Sequence, residues 1–200
     1  MVVFRLLLAS NNAHKVTEFR RLFEGLDLEL VTPREVGLEL DVAETGETFK
    51  ENARLKARAF AAASGLASLA DDSGIEVDAL DGRPGVFSAR YGGDGLDDEG
   101  RVRLLLRELD GVAGARRGCR YRVVLVLADP AGGEWVTEGR CEGRVGLAPS
   151  GSNGFGYDPV FYVPTFGKTI AELDPVQKDM ISHRGEAARA MADVLARRMG

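Results

Sequence analysis

Two adjacent carboxylates, Asp71 and Asp72, are the residues of this 200-residue chain best suited by type and position to do chemistry. They follow the apolar run 66–69, which predicts a buried strand, and they precede Ser73 and Gly74. Because side chains alternate across a strand, we expect the two carboxylates to point in opposite directions, one serving structure and the other chemistry. Gly74 permits a sharp turn, which would place a carboxylate at the carboxyl end of a strand, where open α/β sheets bind ligands. An ordinary acidic turn is the alternative, since Asp, Ser and Gly are common turn residues.

A polar loop near the start of the chain is a second candidate. Residues 2–9 form an apolar run typical of a buried strand, and Ser10-Asn11-Asn12 then supplies loop and helix-capping residues. Apolar residues recur after the loop with the spacing of an amphipathic helix, at Val16, Phe19 and Phe23. Such a connection directs backbone N–H groups and the positive end of the helix dipole to one point, where Lys15 adds a full charge. That point suits a phosphate; a capped helix with an exposed lysine is the alternative.

Two glycine-rich loops are further candidates. Residues 81–95 are too many for a simple connection, and long ordered loops in compact domains tend to be functional. Residues 151–159 carry Phe155 and Tyr157. Glycines let a loop lie close to a ligand, and a planar side chain there can stack on a nucleobase. The alternative for this second loop is a turn whose aromatic side chains fill the core.

One histidine and one arginine, His183 and Arg184, stand where the last predicted helix begins. Both side chains can donate hydrogen bonds to carbonyl-type acceptors. The other histidine of the chain, His14, is expected to be an exposed helix residue.

The elements that must position these side chains begin as strand, helix, strand, helix. Leu28–Val31 predicts a second strand, and residues 48–64 predict a helix with a capping box at Thr48 and Glu51. Asn52 and Lys56 lie four residues apart on one face of that helix. The remaining pattern predicts a strand or hairpin arm at 75–80, a helix opened by the acids at 97–99, an antiparallel hairpin of 121–128 with 135–145, and a final helix after Ser182.

Composition bounds the class of protein. The 44% of hydrophobic residues suffices for one large domain or two small lobes with a sizeable core. The net charge of -5 argues against a non-specific nucleic-acid binder, and the two cysteines lack the spacing of a zinc site or disulfide framework. The apolar start is too short to span a bilayer and lacks an export-cleavage pattern, so we expect a cytoplasmic protein. A short basic run, expected to be a solvated face, comprises Arg116, Arg117, Arg120 and Arg122.

Together these residues indicate metal-assisted phosphate chemistry. Lys15 and Lys56 can hold phosphate, and the acids suit Mg²⁺, a hard cation that takes oxygen ligands. No Ser/His/Asp or Cys/His nucleophile set is apparent in the sequence.

Six motifs, in order along nearly the whole chain, resemble those of the inosine triphosphate pyrophosphatases, also called non-canonical purine NTP pyrophosphatases or XTP/dITP diphosphatases. Each motif alone is weak, but their ordered combination is specific. They are Ser10 to Lys15, Glu44 to Phe49 with Glu51 to Ala53 and Lys56-Ala57, Ala70 to Gly74, Pro84-Gly85 with Ser88 to Tyr91, Phe155 to Pro159, and Ser182 to Gly185.

The resemblance implies an enzyme that hydrolyses ITP, dITP and XTP to the nucleoside monophosphate and pyrophosphate, removing deaminated purines from the nucleotide pool. It implies an α/β fold, an elongated mixed sheet flanked by helices, with residues 1–200 forming one domain of two lobes around a central nucleotide-binding cleft. It further implies Mg²⁺ as cofactor and a homodimer, with no nucleic-acid polymer or membrane as partner.

The resemblance also assigns roles to residues. Asp72 is expected to be the catalytic base and a Mg²⁺ ligand, with Ser73 beside it. The second metal ligand is expected to be Glu44, with Glu47 as the alternative. The chain departs from the family pattern here, since some members carry a metal-binding Glu one position before the residue that matches Glu44, where this chain has Ala43. The residues expected to hold phosphates are Ser10, Asn11, Asn12, Ala13, His14, Lys15 and Lys56. Those expected to contact the nucleotide are Phe155, which stacks on the base, with Gly156, Tyr157 and Asp158, and Lys178, His183 and Arg184, which contact the purine and its 6-oxo group.

Two other classes of protein share part of this pattern. A phosphotransferase or nucleotidyltransferase would use the same cation and lysines but pass the group to an acceptor other than water. A non-catalytic nucleotide sensor would bind ITP without turnover and tolerate loss of Asp72.

Overall fold

A computed structural model describes residues 3–93 and 95–199. The predicted strand start at Val2 and Asp94 of the first glycine-rich loop lie outside the described residues. The strands are β1 (Phe4–Leu8), β2 (Leu28–Val31), β3 (Ala67–Val77), β4 (Gly118–Ala128), β5 (Glu134–Val145), β6 (Phe161–Val163) and β7 (Lys168–Thr169). The α-helices are α1 (Ala13–Leu22), α2 (Phe49–Ser64), α3 (Asp98–Glu108), α4 (Pro175–Ile181) and α5 (His183–Met199). No helix within residues 3–93 and 95–199 combines the length and apolar character needed to cross a bilayer.

The seven strands form one mixed sheet in the order β2-β1-β3-β4-β5-β6-β7. Strand β1 pairs in parallel with β2 and β3, so that Leu6 lies opposite both Leu30 and Ala67. At the other end, β6 is antiparallel to β5 and to β7. Parallel strands joined by the crossover helices α1 and α2 make this an α/β fold, as predicted.

The described chain divides into two compact units. The first unit contains the residues up to 72, 123–139 and those from 184 on, and the second contains 73–122 and 140–183. The core of the first unit is built from apolar side chains of β1, β4, α1 and α5, including Leu6, Phe19, Leu125, Met191 and Leu195. The core of the second unit includes Ile75, Leu105, Tyr121, Phe161 and Ile170.

The helices that begin at capping residues are where the sequence predicts them. Asn12 caps α1, its side chain accepting hydrogen bonds from the N–H groups of His14 and Lys15. Thr48 and Glu51 form the predicted capping box of α2, and Gly65 ends that helix in the left-handed conformation, at φ 70°.

The prediction that a strand stops at Asp71 and Asp72 is wrong, because β3 continues without interruption from Ala67 to Val77. Gly74 therefore makes no turn and serves a close approach instead. A Cβ atom on Gly74 would lie 2.3 Å from the carbonyl oxygen of Gly85 and 2.4 Å from Oγ of Ser88. The chain turns only at residues 78–80, which form a 3-10 turn rather than the predicted strand.

Arg117 was predicted to lie on a solvated face, and this prediction is wrong. The residue is buried, and its guanidinium donates hydrogen bonds to the carbonyl oxygens of Leu109, Val112 and Gly146. A guanidinium has five N–H donors, so it can satisfy several main-chain carbonyls that would otherwise be buried without partners.

Candidate active site

The loop before α1 presents an open polar surface in the first unit. Asn11, Asn12, Ala13 and His14 are exposed. The loop is held by hydrogen bonds from Asn12 N to Ser10 Oγ at 3.2 Å and from Lys15 N to Asn12 Oδ1 at 3.2 Å. A fixed loop at a helix N-terminus has the geometry expected for an anion site.

Lys15 belongs to a chain of four charged side chains in the first unit. Its Nζ lies 2.9 Å from Asp71 Oδ1, and the other oxygen of Asp71 accepts from Arg184 at 3.1 Å. Arg184 in turn donates to Glu18 Oε2 at 2.7 Å. Burial alone would raise the pKa of Asp71, but Lys15 and Arg184 hold it well below its usual range. Asp71 therefore stays ionised and acts as a structural anion.

Arg184 is buried in the first unit and paired with two carboxylates. Its side chain is 3% exposed, and its guanidinium donates hydrogen bonds to Asp71 and Glu18. The expected contact of Arg184 with the purine 6-oxo group stays a prediction, and the ion pairs connect the residue to Lys15 through Asp71.

Asp72 has a different environment from its neighbour Asp71. Asn52 Nδ2 donates to Asp72 Oδ2 at 3.1 Å, and Lys56 Nζ lies 3.9 Å from Oδ1. Burial raises the pKa of Asp72 to about 6, with Lys56 and Asn52 opposing this change and Glu44 adding to it. A carboxylate whose pKa lies near neutrality suits a general base.

Helix α2 and the loop before it bring these partners to Asp72. Asn52 and Lys56 lie one turn apart on α2, and Asn52 Oδ1 also accepts from Gly46 N at 2.8 Å. A Cβ on Gly46 would lie 2.8 Å from that same oxygen, so only glycine fits beside it. Asn52 thereby connects the loop that carries Glu44 to the carboxylate of Asp72.

The donor set around Lys56 fits a hard divalent cation. Lys56 Nζ lies 2.6 Å from Glu44 Oε1 and 3.9 Å from Asp72 Oδ1, so both carboxylates are gathered about one positive charge. Within residues 3–93 and 95–199, no group of three or more His, Cys, Asp or Glu residues could hold a metal. Two protein carboxylates completed by phosphate oxygens are what Mg²⁺ uses in many nucleotide enzymes. Glu44 shares Lys56 with Asp72, whereas Glu47 is exposed, so the contacts favour Glu44 over this alternative.

In the second unit, Asp158 organises the glycine-rich loop 151–159. Its Oδ2 accepts from Lys178 Nζ at 2.6 Å and from Phe155 N at 3.0 Å, and its Oδ1 accepts from Tyr121 at 3.2 Å. Lys178 Nζ also lies 5.1 Å from the centre of the Phe155 ring. Gly154 has φ +77°, and a Cβ there would lie 2.0 Å from Asp158 Oδ2. The loop conformation therefore depends on a glycine at this position.

The two aromatic residues of this loop have different environments. Phe155 is partly exposed. Tyr157 is buried in the core of the second unit, and its hydroxyl donates to the carbonyl oxygen of Ser88 at 2.9 Å. Ser88 is also the residue that Gly74 approaches, so three of the six motifs meet through Ser88.

His183 is buried, and its ring stacks on that of Tyr121 with centroids 4.6 Å apart. Ser73 lies in β3 directly after Asp72. The structure thus places the expected residues in two groups. The first unit holds Ser10 to Lys15, Glu44, Lys56, Asp72 and Arg184, and the second holds Ser73, Phe155 to Asp158, Lys178 and His183.

Side chains that contact these groups but were not predicted as site residues include Glu18, Asn52 and Tyr121. The sequence could have indicated Asn52, because it lies one helical turn before Lys56 on the same helix. No local pattern could have indicated Glu18 or Tyr121, whose partners lie far away in the sequence.

Comparison with known proteins identifies the chain's relatives. The model of the Ham1 family matches residues 6–194. The chain belongs to the Ham1 family. A dITP/XTP pyrophosphatase of Methylococcus capsulatus is 48% identical over 96% of this chain and 96% of its own length.

Solved Ham1 structures agree in fold. The HAM1 protein of Coxiella burnetii superposes with a TM-score of 0.88 at 40% identity, covering 97% of this chain and 99% of the other. The nucleoside-triphosphatase/dITP/XTP pyrophosphatase of Mycobacterium abscessus has a TM-score of 0.75 at 44% identity, covering 96% and 99%. The family membership and the α/β fold predicted from the six motifs are therefore confirmed.

Proposed function

We propose that this Ham1-family chain hydrolyses non-canonical purine nucleoside triphosphates, namely ITP, dITP and XTP, to the monophosphate and pyrophosphate. One observation carries the proposal: the Asp72 carboxylate stands beside Lys56, Glu44 and Asn52, an arrangement able to bind phosphate with a cation and to take a proton from water. The name of the Methylococcus relative, a dITP/XTP pyrophosphatase, supports the choice of substrate.

The phosphate chain is held by fixed positive charges. Lys15 is kept in place by Asp71, and Lys56 by Glu44, so neither lysine has to be reoriented when charge develops on the phosphates. Preorganised charges of this kind stabilise a transition state without a reorganisation cost at the moment of reaction. The exposed loop 10–14 adds its polar groups at the N-terminus of α1.

Asp72 is the general base. It orients a water molecule and takes its proton as the oxygen attacks the α-phosphorus. The pKa of Asp72, raised by burial to about 6, leaves the carboxylate ionised at neutral pH and more basic than an exposed aspartate. Asp72 and Glu44 would hold Mg²⁺, which when bound withdraws negative charge from the phosphates as pyrophosphate leaves.

The second unit selects the base. Phe155 offers a ring for stacking, and Lys178 and His183 offer donors to the 6-oxo group of the purine. Adenine carries a donor at that position and would leave buried donors unpaired, which costs roughly 1–3 kcal/mol per group. Arg184 as a further base contact, the homodimer and the cytoplasmic location stay predictions from the family resemblance.

A panel of nucleoside triphosphates with Mg²⁺, followed by chromatography of the products, tests this proposal. We expect ITP, dITP and XTP to give monophosphate and pyrophosphate far faster than ATP does. An Asp27→Asn variant, which changes an exposed aspartate of the first unit, is the matched control for Asp72→Asn. Formation of IDP and inorganic phosphate would contradict the mechanism, and transfer to an acceptor other than water would identify a transferase.

A further inference from the structure

Tyr121, a residue of β4, contacts two separate members of the expected base-binding set. Its hydroxyl donates to Asp158 Oδ1 at 3.2 Å, and its ring stacks on His183 with centroids 4.6 Å apart and planes inclined by 19°. Asp158 and His183 lie 25 positions apart in the sequence and in different elements. One side chain therefore connects them.

The hydroxyl of Tyr121 helps to fix the orientation of the Asp158 carboxylate. Oδ1 is taken by Tyr121, which leaves Oδ2 for Lys178 Nζ at 2.6 Å and Phe155 N at 3.0 Å. The torsion of a carboxylate about its last carbon–carbon bond is broad, and hydrogen bonds on both oxygens restrict it to one orientation. Burial raises the pKa of Tyr121 well above its ordinary value, so the hydroxyl remains a donor across the physiological range.

The ring of Tyr121 is itself held in the core of the second unit. It stacks on Phe161 with centroids 4.4 Å apart and planes inclined by 12°, and Phe161 is fully buried. The imidazole of His183 thus stacks on a ring that the core keeps in place.

We propose that Tyr121 is a positioning residue for purine selection, holding Asp158 with Lys178 on one side and His183 on the other. The inference rests on the proposed function, because it takes these residues as the base-binding set. Asp158 and His183, which Tyr121 contacts, both belong to that set, so loss of Tyr121 should affect recognition of the base more than the attack on phosphorus.

Two variants separate the hydroxyl from the ring. Tyr121→Phe removes the hydrogen bond to Asp158 and keeps both stacking contacts. Tyr121→Leu removes the hydrogen bond and both stacking contacts. Tyr162→Phe is the matched control, because it removes a hydroxyl from a tyrosine of β6 in the same unit. For each protein we would measure kcat and KM with ITP and with ATP, the binding of IMP and of AMP by calorimetry, and the Tm.

For Tyr121→Phe we expect the ratio of kcat/KM for ITP to that for ATP to fall by about two- to twelve-fold, the equivalent of one hydrogen bond, chiefly through a higher KM for ITP. Tyr121→Leu should lower the ratio further, and Tyr162→Phe should leave it within about two-fold of wild type. A merely structural role would lower Tm and reduce activity with both nucleotides equally, and that result would overturn the proposal.

The binding measurement separates this proposal from the proposed function. If the wild-type protein hydrolysed no ITP, the proposed function would fail, and the ratio of IMP to AMP affinity in wild type and Tyr121→Phe would still decide the role of Tyr121. An unchanged ratio in that variant, or no preference for IMP in the wild type, would refute it. If Tyr121→Leu did not fold, Tyr121→Phe alone would decide.

Discussion

Replacing each of the two neighbouring aspartates by asparagine should change the stability of the protein in opposite directions. Asp71 is ionised between Lys15 and Arg184, and its side chain is only 1% exposed. Asp71→Asn keeps the shape but leaves the buried Arg184 and the half-buried Lys15 without this counter-charge. Breaking a buried ion pair in this way costs about 3–5 kcal/mol of unfolding free energy.

The sign of the Asp71 contribution follows from its depressed pKa. A carboxylate whose pKa is lower in the folded than in the unfolded chain stabilises the fold above its unfolded value, here 3.8. That stabilisation is complete at pH 7 and is lost only as the pH falls below about 4. The loss caused by Asp71→Asn should therefore be largest at neutral pH.

Asp72 makes the opposite contribution. Its pKa rises from 3.8 to about 6 on folding, so at pH 7 the folded protein holds a carboxylate that would be better solvated in the unfolded chain. The difference between these values corresponds to about 3 kcal/mol. Asp72→Asn removes this cost and should raise the unfolding free energy by up to about 3 kcal/mol at pH 7, and by less than about 1 kcal/mol at pH 4. Residues kept for function at the expense of stability are common at active sites.

Urea unfolding followed by circular dichroism, in EDTA so that no divalent cation binds, measures both changes. Asp27→Asn changes an exposed aspartate and should stay within about 0.5 kcal/mol of wild type. The reasoning fails if Asp71→Asn is as stable as wild type at pH 7, or if Asp72→Asn is less stable than wild type there.

Three further predictions concern activity and packing. Asp72→Asn should lower kcat with ITP by at least about 10²-fold, the contribution of one well-placed general base, and retention of a tenth of the wild-type kcat would move that role to another residue. The kcat/KM of the wild type should fall as the pH is lowered through about 6, where Asp72 takes up a proton. Saturating Mg²⁺ should move this fall to lower pH, because a bound cation favours the ionised carboxylate. A kcat/KM that stays constant down to pH 4 would contradict this prediction. Gly74→Ala should lower the Tm, because the new Cβ would lie 2.3 Å from the backbone oxygen of Gly85, whereas Gly25→Ala, where nothing lies within 4 Å, would show only the strain of its positive φ.

Local signals predicted the elements that local interactions determine. The capping box at Thr48 and Glu51 and the left-handed Gly65 gave both ends of α2, because the hydrogen bonds involved join residues three or four positions apart. The loop after β1 and the start of α1 followed in the same way from Asn12.

The continuity of β3 could not be predicted from its sequence. Asp-Asp-Ser-Gly has the composition of a turn, but the partners that let Asp71 remain in a strand, Lys15 and Arg184, are 56 and 113 residues away. The need for a glycine at position 74 could not be predicted either, since Ser88 and Gly85 lie next to Gly74 only in the folded chain. The buried role of Arg117 likewise depends on carbonyl groups brought together by folding.

The candidate site was predicted as a set of residues but not as a network. The motifs supplied Lys15 and Asp72, whose residue types suggest their chemistry, and the family resemblance supplied Lys178. The supporting side chains Glu18 and Tyr121 were missed because a glutamate in a helix and a tyrosine in a strand are ordinary residues there. Asn52 was noted for its spacing from Lys56, but its contact with Asp72 was not predicted. Their roles become visible only through the atoms that they contact.

Hydrolysis of ITP in water enriched in ¹⁸O tests the central claim most directly, namely that Asp72 delivers water to the α-phosphorus. Mass spectrometry of the products should find one ¹⁸O atom in IMP and none in pyrophosphate. Asp27→Asn should give the same labelling at the wild-type rate, and Asp72→Asn should give it at a rate lower by at least about 10²-fold. Label found in pyrophosphate instead would mean that water attacks the β-phosphorus and would contradict the proposed mechanism.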